Sequence, residues 1–240
     1  MSEARPRGLP VERPLRIFVN DSELVTLMAT PDQLDELIHG WLWANGLISA
    51  ASDLLKHFID ADRAIIWTEI KGEIPTVTTR TTGSGCGGGQ LIADLSAELP
   101  KIDSDLHVSL ARLGELQARF LAGAKLYKET GGVHGAALAD PDQVLFIAED
   151  VGRHNAVDKV IGWSLMNSVD LKDKLILTTG RISSEMLAKA AKAGIPIVGS
   201  RTAATDLAVK MAGVAGVTVV GYLRGERAVV YSHEERLTTP

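Results

Sequence analysis

The stretch VLFIAEDVGRHNAVDKVIGWSL, Val144 to Leu165, restricts the fold more than any other part of this 240-residue chain. It opens with an apolar run, Val144 to Ala148, whose length and residue types suit a buried strand. The run ends at once in Glu149, Asp150, Gly152, Arg153, His154 and Asn155. Val157, Val160, Ile161 and Leu165 then recur at helical spacing and predict an amphipathic helix. In open α/β sheets, ligands bind outside the carboxyl ends of the strands. A strand that runs straight into charged and amide side chains therefore marks a candidate site. A solvated loop in which Glu149 and Arg153 pair is the alternative this stretch leaves open.

The same unit recurs downstream. Leu175 to Thr179 predicts a strand ending in Gly180-Arg181, followed by a helix from Ser183 to Lys192 with Glu185 in its first turn. Ile195 to Val198 predicts a strand ending in Ser200-Arg201, followed by a helix from Thr205, its expected N-cap, to Met211. Val217 to Val220 runs into Tyr222-Leu223-Arg224. Strand–helix alternation with short links implies parallel strands and right-handed crossovers. Arg153, Arg181, Arg201 and Arg224 are then expected along one sheet edge. A guanidinium fork suits phosphate oxygens, and neighbouring helix N-termini favour anions too. Four separate surface ion pairs, each worth little, are the competing reading. Recurrence at the same place in each unit favours an anion or nucleotide cleft. His154 and Asp158, four residues apart, share a helix face. Together with Glu149, Asp150 and Asn155 they are expected to shape the cleft or to brace the strand-to-helix turn, not to carry out covalent chemistry.

Upstream the chain reads as scaffold. Residues 1–12 are Arg- and Pro-rich and are expected to form a loose tail. Leu15 to Val19 and Leu24 to Met28 flank Asn20-Asp21-Ser22-Glu23 and predict a hairpin. Thr30-Pro31 predicts an N-cap with proline at the first helical position, for a helix burying Leu34, Leu37, Ile38, Trp41 and Leu42. Ala64 to Ile70 and Ile74 to Thr79 predict a second hairpin. Then comes Thr81-Thr82-Gly83-Ser84-Gly85-Cys86-Gly87-Gly88-Gly89, too glycine-rich to serve packing. Gly83, Gly85 and Gly88 match GxGxxG only formally, because no βαβ unit surrounds them. Ser104 to Tyr127 predicts one long helix, and His134 to Ala139 a strand pairing with Val144 to Ala148. His134, taken alone, reads as a core histidine.

A net charge of −5 argues against a nucleic-acid-coating surface. No apolar run is long enough to span a bilayer, and the N-terminus lacks the apolar segment of a secretory signal, so a cytoplasmic location is expected, with no membrane partner. A single cysteine excludes an internal disulfide and a multi-cysteine zinc site.

EDVGRHNAVDKVIG, GRISSEMLAKAAKAGIPIVGSRTAATDLAVKMA and GYLRGERAVVY closely resemble the formate dehydrogenase accessory sulfurtransferase family, FdhD. LRIFVNDSELVTLMATPDQLDELIHGWLWANGLI resembles it as well, so the likeness runs from Leu15 to Leu237. The resemblance implies an α/β fold: a cytidine deaminase-like three-layer core with a mixed, mostly parallel sheet, plus a smaller β-rich N-terminal subdomain, used as a homodimer. The expected division is a tail at 1–12, an N-terminal subdomain with the glycine loop at 13–103, and a core at 104–240. It also implies a task, passing sulfur from a cysteine desulfurase to the molybdenum bis-molybdopterin guanine dinucleotide cofactor of formate dehydrogenase. The family's persulfide cysteine matches Cys86. Its segment for the nucleotide end of the cofactor matches Tyr222, Leu223, Arg224, Gly225, Glu226 and Arg227. Arg153, His154, Asn155, Arg181, Ser200 and Arg201 complete the expected cofactor-binding set, with GDP or GMP as mimics.

The family usually carries Cys-Gly-x-Cys-Gly in the loop, whereas this chain has Cys86 alone. Cys86 fits the first cysteine with Gly89 at the second, and a frame with Gly83 at the first position stays open. Deaminase chemistry and its zinc are not expected, since no His-x-Glu precedes a Pro-Cys-x-x-Cys. Three functions remain at this point: a persulfide carrier, a non-catalytic chaperone for the same cofactor, and, last, a nucleotide hydrolase or deaminase.

Overall fold

The structure is a computed structural model that describes residues 8–74 and 99–238. Strand β1 (Arg13–Val19) turns back into β2 (Ser22–Ala29) through Asn20 and Asp21, both with positive φ, as a two-residue hairpin turn requires. Helix α1 (Leu34–Ala44) starts three residues later than Thr30-Pro31 predicts. Its N-cap is Gln33, whose side chain instead donates to the Ile147 carbonyl at 3.0 Å. Thr30 is unavailable as a cap because its N–H, hydroxyl and carbonyl bind Asp150, Val151 and Lys159. Strands β3 (Leu54–Asp60) and β4 (Ile65–Ile70) complete a four-stranded sheet in the order β2-β1-β4-β3. The second hairpin is therefore formed by β4 with the strand before it. Residues 75–79 of the expected partner lie outside the described residues.

A short strand β5 (Val108–Ser109) leads into α2 (Leu110–Gly123) and α3 (Lys125–Thr130). The single long helix predicted here starts late because Ser109 caps it, accepting from the Arg112 N–H at 3.1 Å. It breaks at Ala124, whose ψ of 91° is extended. The remaining elements are β6 (His134–Ala139), β7 (Val144–Asp150), α4 (Arg153–Met166), β8 (Leu175–Thr178), α5 (Ser184–Lys192), β9 (Ile197–Ser200), α6 (Asp206–Ala215), β10 (Thr218–Arg224), β11 (Arg227–Ser232) and β12 (Leu237–Thr238), the last paired with β5.

The main sheet has the order β11-β10-β9-β8-β6-β7. β8, β9 and β10 are parallel neighbours, and β6 runs antiparallel to both β8 and β7. Four strands, β7 to β10, thus share one direction, although β6 sits between β7 and β8. Strand alternation divides the side chains between two faces. Ala136, Leu138, Ile176, Val198 and Val219 join α4, α5 and α6 in one apolar cluster. Ala137, Leu175, Leu177, Ile197 and Val220 pack with α2 in the other. The result is three layers, a mixed α/β architecture.

The four-stranded sheet is joined to these layers through α1 and α4. Their backbones nearly touch: a Cβ on Gly162 would stand 1.8 Å from the Glu36 carbonyl oxygen, and one on Gly40 1.8 Å from that of Asp158. Only glycine allows this approach. Gly162→Ala is expected to force the helices apart and to lower stability by about 1–3 kcal/mol, measurable as a fall in the urea midpoint. Among the described residues no helix is long and apolar enough to cross a membrane.

Candidate functional site

Because β7, β8, β9 and β10 point the same way, their carboxyl ends lie along one sheet edge. β6, running oppositely, begins there with His134. At about 4.8 Å between strands, the row from β7 to β10 spans roughly 19 Å.

At the β7 end, Asp150 is fully buried and its carboxylate is satisfied on both oxygens. Oδ1 accepts from the Gly152 N–H at 2.8 Å and Asn155 Nδ2 at 2.9 Å. Oδ2 accepts from the Thr30 N–H at 3.1 Å and Lys159 Nζ at 2.7 Å. Asn155 also donates to the Met28 carbonyl at 2.9 Å. Asp150 and Asn155 thus lock the strand-to-helix turn against the N-terminal sheet. Glu149 faces elsewhere, accepting from the Leu126 and Tyr127 N–H groups at 3.0 and 2.6 Å at the start of α3.

His154 and Asp158 share one face of α4, and both meet α5. His154 Nε2 lies 3.0 Å from Glu185 Oε2 and 3.2 Å from Ser183 Oγ. The bond from His154 holds the Glu185 carboxyl below its ordinary value, against the opposing effect of burial. Asp158 Oδ1 lies 2.6 Å from Lys189 Nζ. Burial pushes the Asp158 carboxyl above the usual range, and the lysine opposes that shift.

At the β8 end, Gly180 has no side chain where Arg153 approaches: an added Cβ would lie 3.0 Å from Arg153 Cβ. Arg153 is buried and Arg181 is exposed. Ser200, at the end of β9, is buried with its hydroxyl donating to the Gly180 carbonyl at 2.7 Å. It shapes the β8 turn from the neighbouring strand. Arg201 extends to the α2–α3 side and lines a cleft of about 350 Å³ with Leu121, Tyr127, Lys128 and Gly131.

At the β10 end, Tyr222 has φ 52°, a left-handed conformation costly for a bulky residue, and its side chain is 48% exposed. Leu223 is buried in the α2-side core, so its side chain packs inward. Arg224, Gly225, Glu226 and Arg227 are exposed at the β10–β11 turn. This turn is pressed on α2 at Gly114, where a Cβ would come within 2.2 Å of the Gly225 carbonyl oxygen.

The edge therefore brings Arg153, His154 and Arg181 to one end, Arg201 to a cleft beside the middle, and Tyr222 to Arg227 to the other end. Asn155, Ser200 and Leu223 support these from within. Cys86 lies outside the described residues. Sequence reasoning missed Glu185 and Lys189 as partners of α4, and Tyr127 and Lys128 beside Arg201. The spacing of Glu185 and Lys189, four apart on one helix face, was a signal that they act together. Nothing in the sequence placed α3 beside Arg201.

A model of the FdhD/NarQ family matches residues 10–238 of the chain. A relative from Bacillus subtilis (strain 168), named sulfur carrier protein FdhD, is 36% identical over 236 residues, covering 94% of this chain and 88% of the relative. One of the same name from Geobacillus kaustophilus is 39% identical over 236 residues, covering 95% and 89%. A crystal structure described as a formate dehydrogenase accessory protein from Desulfotalea psychrophila superposes with a TM-score of 0.80 at 30% identity, covering 96% of this chain and 90% of that one.

Proposed function

The chain belongs to the FdhD/NarQ family, and from that membership we propose that it is a sulfur carrier serving formate dehydrogenase, with Cys86 as the carrying residue. Its cargo site is the strand-end row, which holds the guanine dinucleotide of the molybdenum cofactor while sulfur is passed on. In the loading step the Cys86 thiolate attacks the outer sulfur of a desulfurase persulfide. A sulfur–sulfur bond forms at Cys86 as the donor's bond breaks, and the desulfurase cysteine leaves as a thiolate. In delivery the acceptor's electron pair bonds the outer sulfur while the sulfur–sulfur bond breaks and its pair stays on Cys86 as a thiolate; with one cysteine in the chain, no internal disulfide forms. The chain works as a cytoplasmic homodimer.

The observation that supports this reading is the common direction of β7 to β10, which places Arg153, Arg181, Arg201 and Arg224 at or just after strand ends along one sheet edge. The row's length suits an extended, multiply charged ligand, and the cleft with Tyr127, Lys128 and Arg201 offers an aromatic face beside two cations. Intact-mass spectrometry after incubation with a cysteine desulfurase and cysteine tests the loading step. One added sulfur, lost in Cys86→Ser, is expected. An unchanged mass would leave a chaperone that binds the cofactor without carrying sulfur.

Binding is tested separately. Arg224→Ala is expected to weaken GDP by tenfold to a hundredfold, about 1.5–3 kcal/mol, as for loss of one charge-assisted contact. Unchanged affinity in calorimetry would remove the β10–β11 turn from the site.

A further inference from the structure

We infer that His134 is a further residue of this site: with Arg153 and Arg181 it takes up a phosphate-class oxyanion at the carboxyl end of β8, gaining a proton as it does so. The inference deepens the cargo-binding reading and rests on it for the identity of the natural ligand.

The placement follows from the topology. β6 is the antiparallel strand inserted between β7 and β8, so its first residue stands where those two strands end. His134 is opposite Asp150 in register. The start of β6 is fixed to the end of β8 by the Thr179 N–H donating to the Gly135 carbonyl at 3.0 Å and the Gly135 N–H to Thr179 Oγ1 at 2.9 Å. Beside this junction is the bare backbone of Gly180. A Cβ there would lie 3.2 Å from Arg153 Cδ and 3.3 Å from His134 Nδ1. The guanidinium stem and the imidazole therefore converge over one glycine, and the half-buried ring stays within reach of a ligand.

Two guanidinium groups, one imidazole and one carboxylate face His134. Arg153 and His154 come from α4, Arg181 from the segment after β8, and Asp150 from β7. Asp150 is matched by Lys159 at 2.7 Å, and His154 by Glu185 of α5 at 3.0 Å. Burial, and then the nearby cations, hold His134 below its ordinary value, so the ring is neutral over more of the physiological range. A bound oxyanion offsets those cations and favours the protonated ring. The free form then has the lower proton affinity and the bound form the higher, so binding takes up a proton and tightens as pH falls between the two.

The test uses inorganic sulfate, which stays dianionic throughout, and GDP, each followed by histidine NMR and by affinity between pH 6 and 8. Sulfate is expected to move the His134 titration to higher pH and to bind about tenfold more tightly at pH 6 than at pH 8, a gain lost in His134→Gln. The wild-type NMR titration decides the matter even if that variant folds poorly. Sulfate or GDP binding with the His134 titration unmoved would overturn the inference and leave the cargo reading intact. A His134 response to sulfate without any GDP binding would uphold the oxyanion site and overturn the nucleotide reading. Binding of neither would overturn both.

Discussion

Cys86→Ala is expected to abolish activation of formate dehydrogenase while leaving the fold and GDP affinity unchanged. The thiolate is the nucleophile in sulfur transfer, and the chain has no other cysteine to take over. The variant removes one sulfur atom at a position whose sequence neighbours are Gly83, Ser84, Gly85, Gly87 and Gly88. The strand-end row and its Asp150–Lys159 brace are built entirely from other residues. Three measurements on one preparation check this: unfolding by urea, GDP calorimetry, and activation of formate dehydrogenase with a desulfurase present. Full activation by Cys86→Ala would refute the carrier role and leave a chaperone in its place.

The largest effect on stability is expected from Lys159→Met. Lys159 is fully buried, and its ammonium meets Asp150 Oδ2 at 2.7 Å and the carbonyls of Glu149 and Thr30 at 3.0 and 3.3 Å. Removing it leaves a buried carboxylate with neutral donors alone, which costs about 3–5 kcal/mol. For a chain of this size that corresponds to a fall in Tm of roughly 6–20 °C. Asp150→Asn combined with Lys159→Met is expected to recover part of the loss, because no charge is then stranded. Since Thr30 belongs to the N-terminal sheet's connection and Asp150 to the β7–α4 turn, the single variant is also expected to weaken GDP binding. A loss below about 1 kcal/mol in urea unfolding would show that the pair is no keystone.

The placement of the strand-end arginines was legible because it depends on strand direction. Parallel strands linked by helices must end on the same side, so the arginine row followed from the order of apolar runs and charged ends alone. Individual side chains were less legible. Ser200 ends β9 and Asn155 lies in the first turn of α4, polar residues in the pattern that marks a ligand site, yet their bonds go to Gly180, Asp150 and Met28. Leu223 lies inside the segment expected to hold the nucleotide end of the cofactor but packs in the core. Local pattern cannot distinguish a polar group aimed at a ligand from one completing a neighbour's hydrogen bonds, because the neighbour is distant in sequence.

By itself the sequence determined the α/β class, the β1–β2 hairpin, the strand–helix units from Val144 onward, and the residue types gathered at their ends. These rest on hydrophobic period, turn residues and short connections, all of them local. Tertiary structure alone decided that β6 enters between β7 and β8, which carries His134 to the strand-end edge. It decided too that α1 and α4 meet through Gly40 and Gly162. It also decided that α1 begins at Leu34, because Thr30 serves Asp150, Val151 and Lys159, more than a hundred residues away. A buried carboxylate and ammonium must find partners wherever the fold places them, and that requirement overrides the capping preference of a single threonine.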